Sequence, residues 1–397
     1  MNAQRFPGVV AAQRDGRVLA DNAAGAQVPA ETIAAMSTFL AEDNAQKGSL
    51  FPRAERTSAL IARAKATFAE LIGVAAQTVG IGLNATSLAF AFARNLAHII
   101  KPGDRIVVTA ADHYANIAPW AWLKRFGATL EIVPVDAHGD IDEAAFHAAL
   151  AQEPVLVALP WGSNATGTLF DVARFARAAG AAGAIVVVDG VQAAPHVRID
   201  MPSAVDFAFF SAYKIFAPHA GMFYTKPEAA ARFYRADDPF LPSDPIYWAL
   251  EIGTQAHESW AGWLGTIAYL RSIANGDLRA AMDEIARSEA DLTRYALDRF
   301  AERADRIQLL GRPTTDTRLP VFAFNMPGQS PHDIARSLAK SNIEARVGDY
   351  YSPRLLQALA PDFGNAAVRL SFAHYTTRDD VDTCLTALDR LATVKSC

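Results

Sequence analysis

The stretch IVVVDGVQAAPHVRIDMPSAVDFAFFSAYKIF, residues 185–216, holds two apolar runs, and each closes near a charged group. Ile185 to Val188 are branched, which suits a strand covered on both faces, and the run stops at Asp189. Val205 to Phe210 form the second run, and Lys214 follows it closely. In an open parallel sheet, ligands sit beyond the carboxyl ends of the strands, where loops and helix N-termini converge. Asp189 and Lys214 are therefore expected in one crevice, although 25 positions separate them.

Further apolar runs flank this stretch and alternate with helical spacing. RIVVTA (105–110), TLEIVPV (129–135) and PVLVALP (154–160) read as strands. ERTSALIARAKATFAELIGV (55–74) and FDVARFARAAGAAG (170–183) read as helices, so the first domain is α/β with a mainly parallel sheet. A stretch rich in Pro, Asp and aromatics, DDPFLPSDPIYW (237–248), precedes a region from Ser259 to about Ala304 that reads as helix throughout. Beyond it the rhythm changes: LPVFAFNM, IEARVG and VRLSFAHY read as strands. SPHDIARSLAKSN opens a helix at Ser330, and TRDDVDTCLTALDRLATV is a final helix capped by Thr377. The chain divides into an N-terminal segment (1–20), a large α/β domain (21–258) and a smaller α+β domain (259–397).

Composition narrows the class. With 397 residues, 51% of them hydrophobic and 20% charged, the chain has the make-up of a packed enzyme. A net charge of −5 provides no basic field for nucleic acid or an acidic membrane surface. The two cysteines, Cys384 and Cys397, form no framework, which suits a reducing compartment. No apolar run approaches the ~18 residues of a spanning helix, so the expected location is the cytoplasm. The histidines are scattered without metal-ligand spacing, and no metal is expected.

A lysine and an acid at neighbouring strand ends suit pyridoxal phosphate. A lysine amine forms a Schiff base with the cofactor aldehyde, and an Asp keeps the pyridine nitrogen protonated so that the ring accepts electrons. Around this pair the sequence resembles the class V aminotransferase family, specifically its cysteine desulfurase-like members. The resemblance rests on ADNAAGAQVP (20–29), ADHYANIAPW (111–120), GSNATGT (162–168), DGVQAAPH (189–196) and SAYK (211–214), and covers nearly the whole chain.

The resemblance implies the fold type I architecture of pyridoxal-phosphate transferases and assigns roles by position. Lys214 anchors the cofactor and moves protons, Asp189 meets the pyridine nitrogen, and His113 stacks on the ring. Asn164 and Gln192 lie near its phenolic oxygen. Ala85, Thr86 and Ser87, at the start of a helix, bind phosphate together with Ser211. Gly253 and Thr254 reach the phosphate of a neighbouring subunit, which implies a homodimer with shared active sites. Arg369 binds the α-carboxylate of a small amino-acid substrate, with Arg346 as the second candidate.

Two positions depart from the desulfurase pattern. The reactive cysteine of that family follows a Gly-His-His run, whereas this chain has GDYYS (348–352), with Tyr351 in its place. Tyr213 stands where a histidine usually precedes the lysine, and a phenol is a poorer base at neutral pH. Tyr350, Tyr351 and Asp349 are expected to meet the substrate side chain. The expected reaction is β-elimination of a carbon–sulfur bond without an enzyme persulfide; transamination and epimerisation are the alternatives. Two other patterns were weighed: SAYK as the S-x-x-K of a serine acyl enzyme, and VGIGLNA (79–85) as a dinucleotide-binding turn.

Overall fold

Branched residues buried on both faces dictate the centre of the molecule. In the computed structural model, which describes residues 3–233 and 250–393, seven such runs form one sheet. After a short β1 (Val18–Leu19), its strands are β2 (Val79–Gly82), β3 (Arg105–Thr109), β4 (Thr129–Val133), β5 (Leu156–Pro160), β6 (Ile185–Asp189), β7 (Phe207–Ser211) and β8 (Gly221–Thr225). Their order is β2-β8-β7-β6-β5-β3-β4, and only β8 runs against its neighbours. The five runs read as strands from periodicity are all present, and the sheet is mainly parallel as expected. The proline- and aromatic-rich stretch 237–248 lies outside the described residues, as does Cys397.

Side-chain alternation splits the strands between two cores. Ile185, Val187, Phe207 and Phe209 pack on one face with Phe92 and Trp120. Val186, Val188, Ala208 and Phe210 pack on the other with Phe68, Trp260 and Trp263. Both layers of helices are needed because no strand of this sheet except β4 has an exposed position, and a parallel sheet exposes neither face stably.

The smaller domain carries β9 (Gln308–Leu309), β10 (Val321–Asn325), β11 (Ile343–Glu344), β12 (Arg346–Gly348) and β13 (Ala367–Ser371). An antiparallel sheet runs β12-β13-β10-β9, while β11 pairs in parallel with β1. IEARVG is therefore two strands in two sheets, not one, because its first half follows the N-terminal segment and its second half follows β13. Thr377 caps the last helix as expected: its hydroxyl accepts from the Asp380 N–H at 3.1 Å, and Asp380 accepts from the Thr377 N–H at 2.8 Å.

The helical region from Ser259 to Ala304 is likewise broken. It forms helices His257–Ile273 and Leu278–Ala301, separated where Asn275 (φ 50°) and Gly276 (φ 99°) turn left-handed and Asp277 caps the second helix. Trp260, Trp263 and Ile267 of the first helix belong to the large core, whereas Leu292, Ala296 and Phe300 of the second belong to the small one. The division between the cores thus runs along Leu278–Ala301 rather than before Ser259. Val18 and Ala20 also lie in the small core, so the N-terminal segment crosses back to it.

The dinucleotide-turn reading of residues 79–85 fails on topology. β2 pairs only with the reversed strand β8, so it does not open a parallel βαβ unit. Gly80 is needed for packing: a Cβ there would lie 2.2 Å from the Phe223 ring.

Candidate active site

At the carboxyl end of the parallel strands lies a cavity of about 880 Å³, within the range of small-molecule sites. Lys214, His113, Asn164, Arg369 and Arg346 all line it. Lys214 closes a single 3-10 turn, Ala212–Lys214, directly after β7. It is buried, and its ammonium donates to the Ala23 carbonyl of the N-terminal segment. Burial, aided by the nearby Arg369 charge, lowers the amine to about 7, against the pull of Asp21 and Asp189. Asp189 is buried at the end of β6, where its Oδ1 accepts from the Val191 N–H at 2.9 Å. Desolvation lifts its carboxyl to about 6, opposed by that N–H and by Lys214.

Tyr213 presents its ring 5.4 Å from Lys214 Nζ and stacks on His219 at 4.8 Å. Burial and the Asp189 charge hold its phenol above the ordinary range. The geometry gives it a packing surface toward the lysine, and the phenol stays protonated at neutral pH.

His113 follows β3, and its Nδ1 accepts from the Ala115 N–H at 3.0 Å, which leaves Nε2 to carry the proton of a neutral ring. Burial, then the charges of Lys214 and Arg369, lower it to about 4, so the ring is uncharged at neutral pH. Its support is Asp112, fully buried, which accepts from the Thr109 N–H at 2.8 Å and from Asn116 at 2.6 Å. Desolvation pushes the Asp112 carboxyl to about 8. In sequence Asp112 fits only loosely as the acid of a dinucleotide-binding fingerprint; in the structure it holds the loop that carries His113.

Gln192 is buried between the strands' ends and His196, 3.4 Å from its ring, and His196 contacts the buried Glu289 at 2.8 Å. The Gln192 Oε1 atom is buried without a partner among the described residues. A buried amide oxygen left unpaired is costly, so a ligand in this place relieves it.

The residues expected to meet phosphate lie at β2, β8 and β7 and at the helix that follows β2. Asn84 caps the helix Ala85–Leu96: its side chain accepts from the Ser87 N–H at 2.8 Å, and the Ser87 hydroxyl reciprocates. Ser87 is thereby used as a cap, whereas the N–H groups of Ala85 and Thr86 lie in the first turn, which has no intrahelical acceptors. Ser211 faces Gly221, which in turn faces Gly82, so about 10 Å separates Ser211 from Gly82, three residues before the helix. Gly221 is required there, since a Cβ would lie 2.6 Å from the Asn84 carbonyl carbon.

Gly253 and Thr254 are not brought to this chain's cavity. Both are exposed, with Gly253 at φ 75°, beside Glu251, which is locked by the Ile81 N–H and by Lys65.

At the opposite end Arg369 is nearly sealed, 2% exposed, over the Tyr350 ring at 4.7 Å. It donates to the Asn164 carbonyl at 2.8 Å and to Asp21 Oδ1 at 2.8 Å, while its Nε is buried without a partner among the described residues. Arg346 reaches the other oxygen of Asp21 at 2.7 Å. Asn164 meets this end as well: its amide donates to the Tyr350 carbonyl, and Ser352 donates to its Oδ1. Tyr350 and Tyr351 both adopt left-handed backbone, φ 54° and 60°, which is strained for aromatic residues and typical of functional loops. Tyr351 is 71% exposed, with its ring 5.7 Å from that of His113. Cys384 is fully buried in the small core, far from solvent, and its thiol is pushed well up by burial.

These features fit pyridoxal phosphate: an unpaired Gln192 oxygen, an acid and a lysine at strand ends, a flat imidazole and an open helix N-terminus. Among the described residues no group of three His, Cys, Asp or Glu is arranged to hold a metal.

Comparison with known proteins identifies the family. The model of the class-V aminotransferase family matches residues 18–384. The chain is 28% identical to an aminotransferase-like protein of Gibberella zeae, over 94% of each protein. It is 31% identical to a probable cysteine desulfurase of Pasteurella multocida, over 97% of this chain and 91% of that protein. The fold of a cysteine desulfurase from Thermococcus onnurineus superposes with a TM-score of 0.86 at 24% identity, covering 98% of this chain and 99% of that one. The cysteine desulfurase CsdA of Escherichia coli gives 0.82 at 26% identity, covering 99% of each. The fold, the paired strand ends and the matched relatives together make this chain a member of the class V aminotransferase family, a pyridoxal-phosphate-dependent enzyme of fold type I.

Proposed function

We propose that this enzyme acts on a small α-amino acid by β-elimination, releasing the β-substituent without passing it to a cysteine of the protein. The observation that carries this reading is the loop Asp349–Tyr351. It faces the cavity with a carboxylate and two tyrosines, and the one described cysteine is buried in another core.

Pyridoxal phosphate, when bound, draws electrons from the substrate's Cα. Lys214 Nζ, lowered to about 7, takes or returns a proton at Cα near neutral pH. Asp189 presents a carboxylate toward the place of a protonated ring nitrogen, and neutral His113 offers a face without charge. Ala85, Thr86 and Ser211 hold the phosphate, and Gln192 holds the phenolic edge. Arg369 supplies its unpaired N–H to the α-carboxylate, and the surrounding carbonyl and aromatic contacts fix the guanidinium plane.

The proposal includes a homodimer in which Gly253 and Thr254 complete the partner's phosphate site. Exposed Ile252 and Leu83, 56% and 63% accessible, stand close in sequence to the two ends of the Ile81–Glu251 hydrogen bond. No helix among the described residues is long and apolar enough to cross a membrane; a cytoplasmic location is part of the proposal.

The test is to incubate the cofactor-loaded protein with a panel of cysteine derivatives and other amino acids, assaying pyruvate while following the absorption of the bound cofactor. Pyruvate formed without any 2-oxo acid is the expected result. Turnover that requires a 2-oxo acid makes the enzyme an aminotransferase, and loss of optical activity without pyruvate makes it an epimerase.

A further inference from the structure

Arg346 and Arg369 stand directly opposite each other on β12 and β13. Like charges paired across adjacent strands repel, so this end of the cavity needs an anion between them. Asp21 supplies it from the N-terminal segment, with Oδ1 toward Arg369 at 2.8 Å and Oδ2 toward Arg346 at 2.7 Å. One carboxylate against two guanidiniums leaves a single positive charge in excess. The Arg369 Nε, buried without a partner among the described residues, is the donor still available.

Away from the phosphate site, Arg346 and Arg369 are the arginines that line the cavity. Arg346 gives both its Nε and an Nη to the same oxygen of Asp21. Asp349 also lines the cavity, on the loop that meets the side chain, and one of its carboxylate oxygens accepts from the Tyr351 N–H at 3.0 Å. A substrate bearing one carboxylate balances the excess charge. A second carboxylate on the substrate would face Asp21 and Asp349 with both arginines already committed.

We propose that Asp21 is a specificity-determining residue, which by neutralising one of the two opposed arginines restricts the enzyme to α-amino acids with a single carboxylate. This rests on the reading of Arg369 as the partner of the substrate's α-carboxylate. It goes beyond that reading by naming the residue that rejects dicarboxylic amino acids.

The test is a titration of the cofactor-loaded enzyme with L-alanine and with L-aspartate, read by the change in absorption of the bound cofactor. This reports binding whatever reaction follows. The parent should bind L-alanine more tightly than L-aspartate by about tenfold or more, because like-charge contacts are unfavourable. In Asp21→Asn, Arg346 is released, and the preference should shift about tenfold toward L-aspartate. Asp21→Glu, which keeps the charge, should retain the parent preference. An unchanged preference in Asp21→Asn, or the same shift in both variants, overturns the proposal. Should either variant fail to fold, Arg346→Ala provides the second reading: it removes the excess charge without touching Arg369, so L-alanine should bind about tenfold more weakly, and unchanged binding overturns the proposal. Failure of the elimination reading is seen separately, as absence of pyruvate from every amino acid while the binding preference still responds to Asp21.

Discussion

The two ends of the active-site cavity are built in different ways. The floor is set by the register of two neighbouring buried strands of one sheet: Asp189 ends β6, and Lys214, which lines the cavity, closes the turn directly after β7. The rim is assembled from distant pieces: Asp21 from the N-terminal segment, Arg346 and Arg369 from the smaller sheet, and a loop of two left-handed tyrosines. The floor holds groups whose proton affinities are displaced by burial, which suits the chemistry common to pyridoxal enzymes. On the proposed reading, the arrangement of the rim decides which amino acid enters and what becomes of its side chain.

The largest expected effect lies on the floor. Lys214→Ala should reduce turnover by about 10³-fold or more, since a positioned proton carrier contributes 10²–10⁴. It should also leave the cofactor extractable after borohydride treatment. A variant in which the cofactor is still fixed covalently would break the assignment of the floor. Asp189→Asn comes next, with a loss of about 10²–10³ in turnover, the scale for deleting one preorganised electrostatic contact. Cofactor absorption and kcat measured together check this.

On the rim, Arg369→Ala should act mainly on KM. Removing a charge-assisted hydrogen bond costs about 1.5–3 kcal/mol, roughly a 10- to 150-fold rise. Parent-like kinetics would make Arg369 structural and erase the distinction between the two regions. The pH profile sharpens the same comparison. With the Lys214 amine lowered to about 7, kcat should rise with pH as that amine loses its proton, levelling above about 7. In Tyr213→Phe the ascending limb should stay where it is, since the phenol is held protonated by burial. A displaced limb would make Tyr213 part of the proton path.

The smallest effect concerns neither region. Cys384→Ala should lower stability by about 1–2 kcal/mol through a small cavity in the last helix's core, measured by thermal unfolding. Turnover should be unaffected.

How far the sequence disclosed this site follows the same division. The strand ends of the floor were legible because they are marked locally: apolar runs stop at Asp189 and just before Lys214. Thr377 and its partner Asp380 likewise carry their meaning within four residues. The break at Asn275–Asp277 was also locally written, since Asn-Gly-Asp is a turn signal, but the long amphipathic pattern around it dominated the reading. The rim was not legible in this way. Asp21 meets partners 325 and 348 residues away, and nothing near it in sequence marks a counter-ion. Glu289, which holds His196 behind Gln192, is one acid among several on an amphipathic helix. IEARVG looked like one strand because its apolar alternation is continuous, while the switch of partners between β11 and β12 depends on the N-terminal segment. Left-handed Tyr350 and Tyr351 could not be foreseen, since aromatic residues rarely adopt that backbone.

The central claim is that this floor, with a rim that has no thiol, completes its reaction without a protein persulfide. The most direct measurement is pyruvate release by the cofactor-loaded protein carrying both Cys384→Ala and Cys397→Ala, in the absence of any 2-oxo acid. The account predicts the parent's rate within about twofold, since none of the described residues that line the cavity is a cysteine. Loss of pyruvate release in a variant that stays folded and retains its cofactor would contradict it.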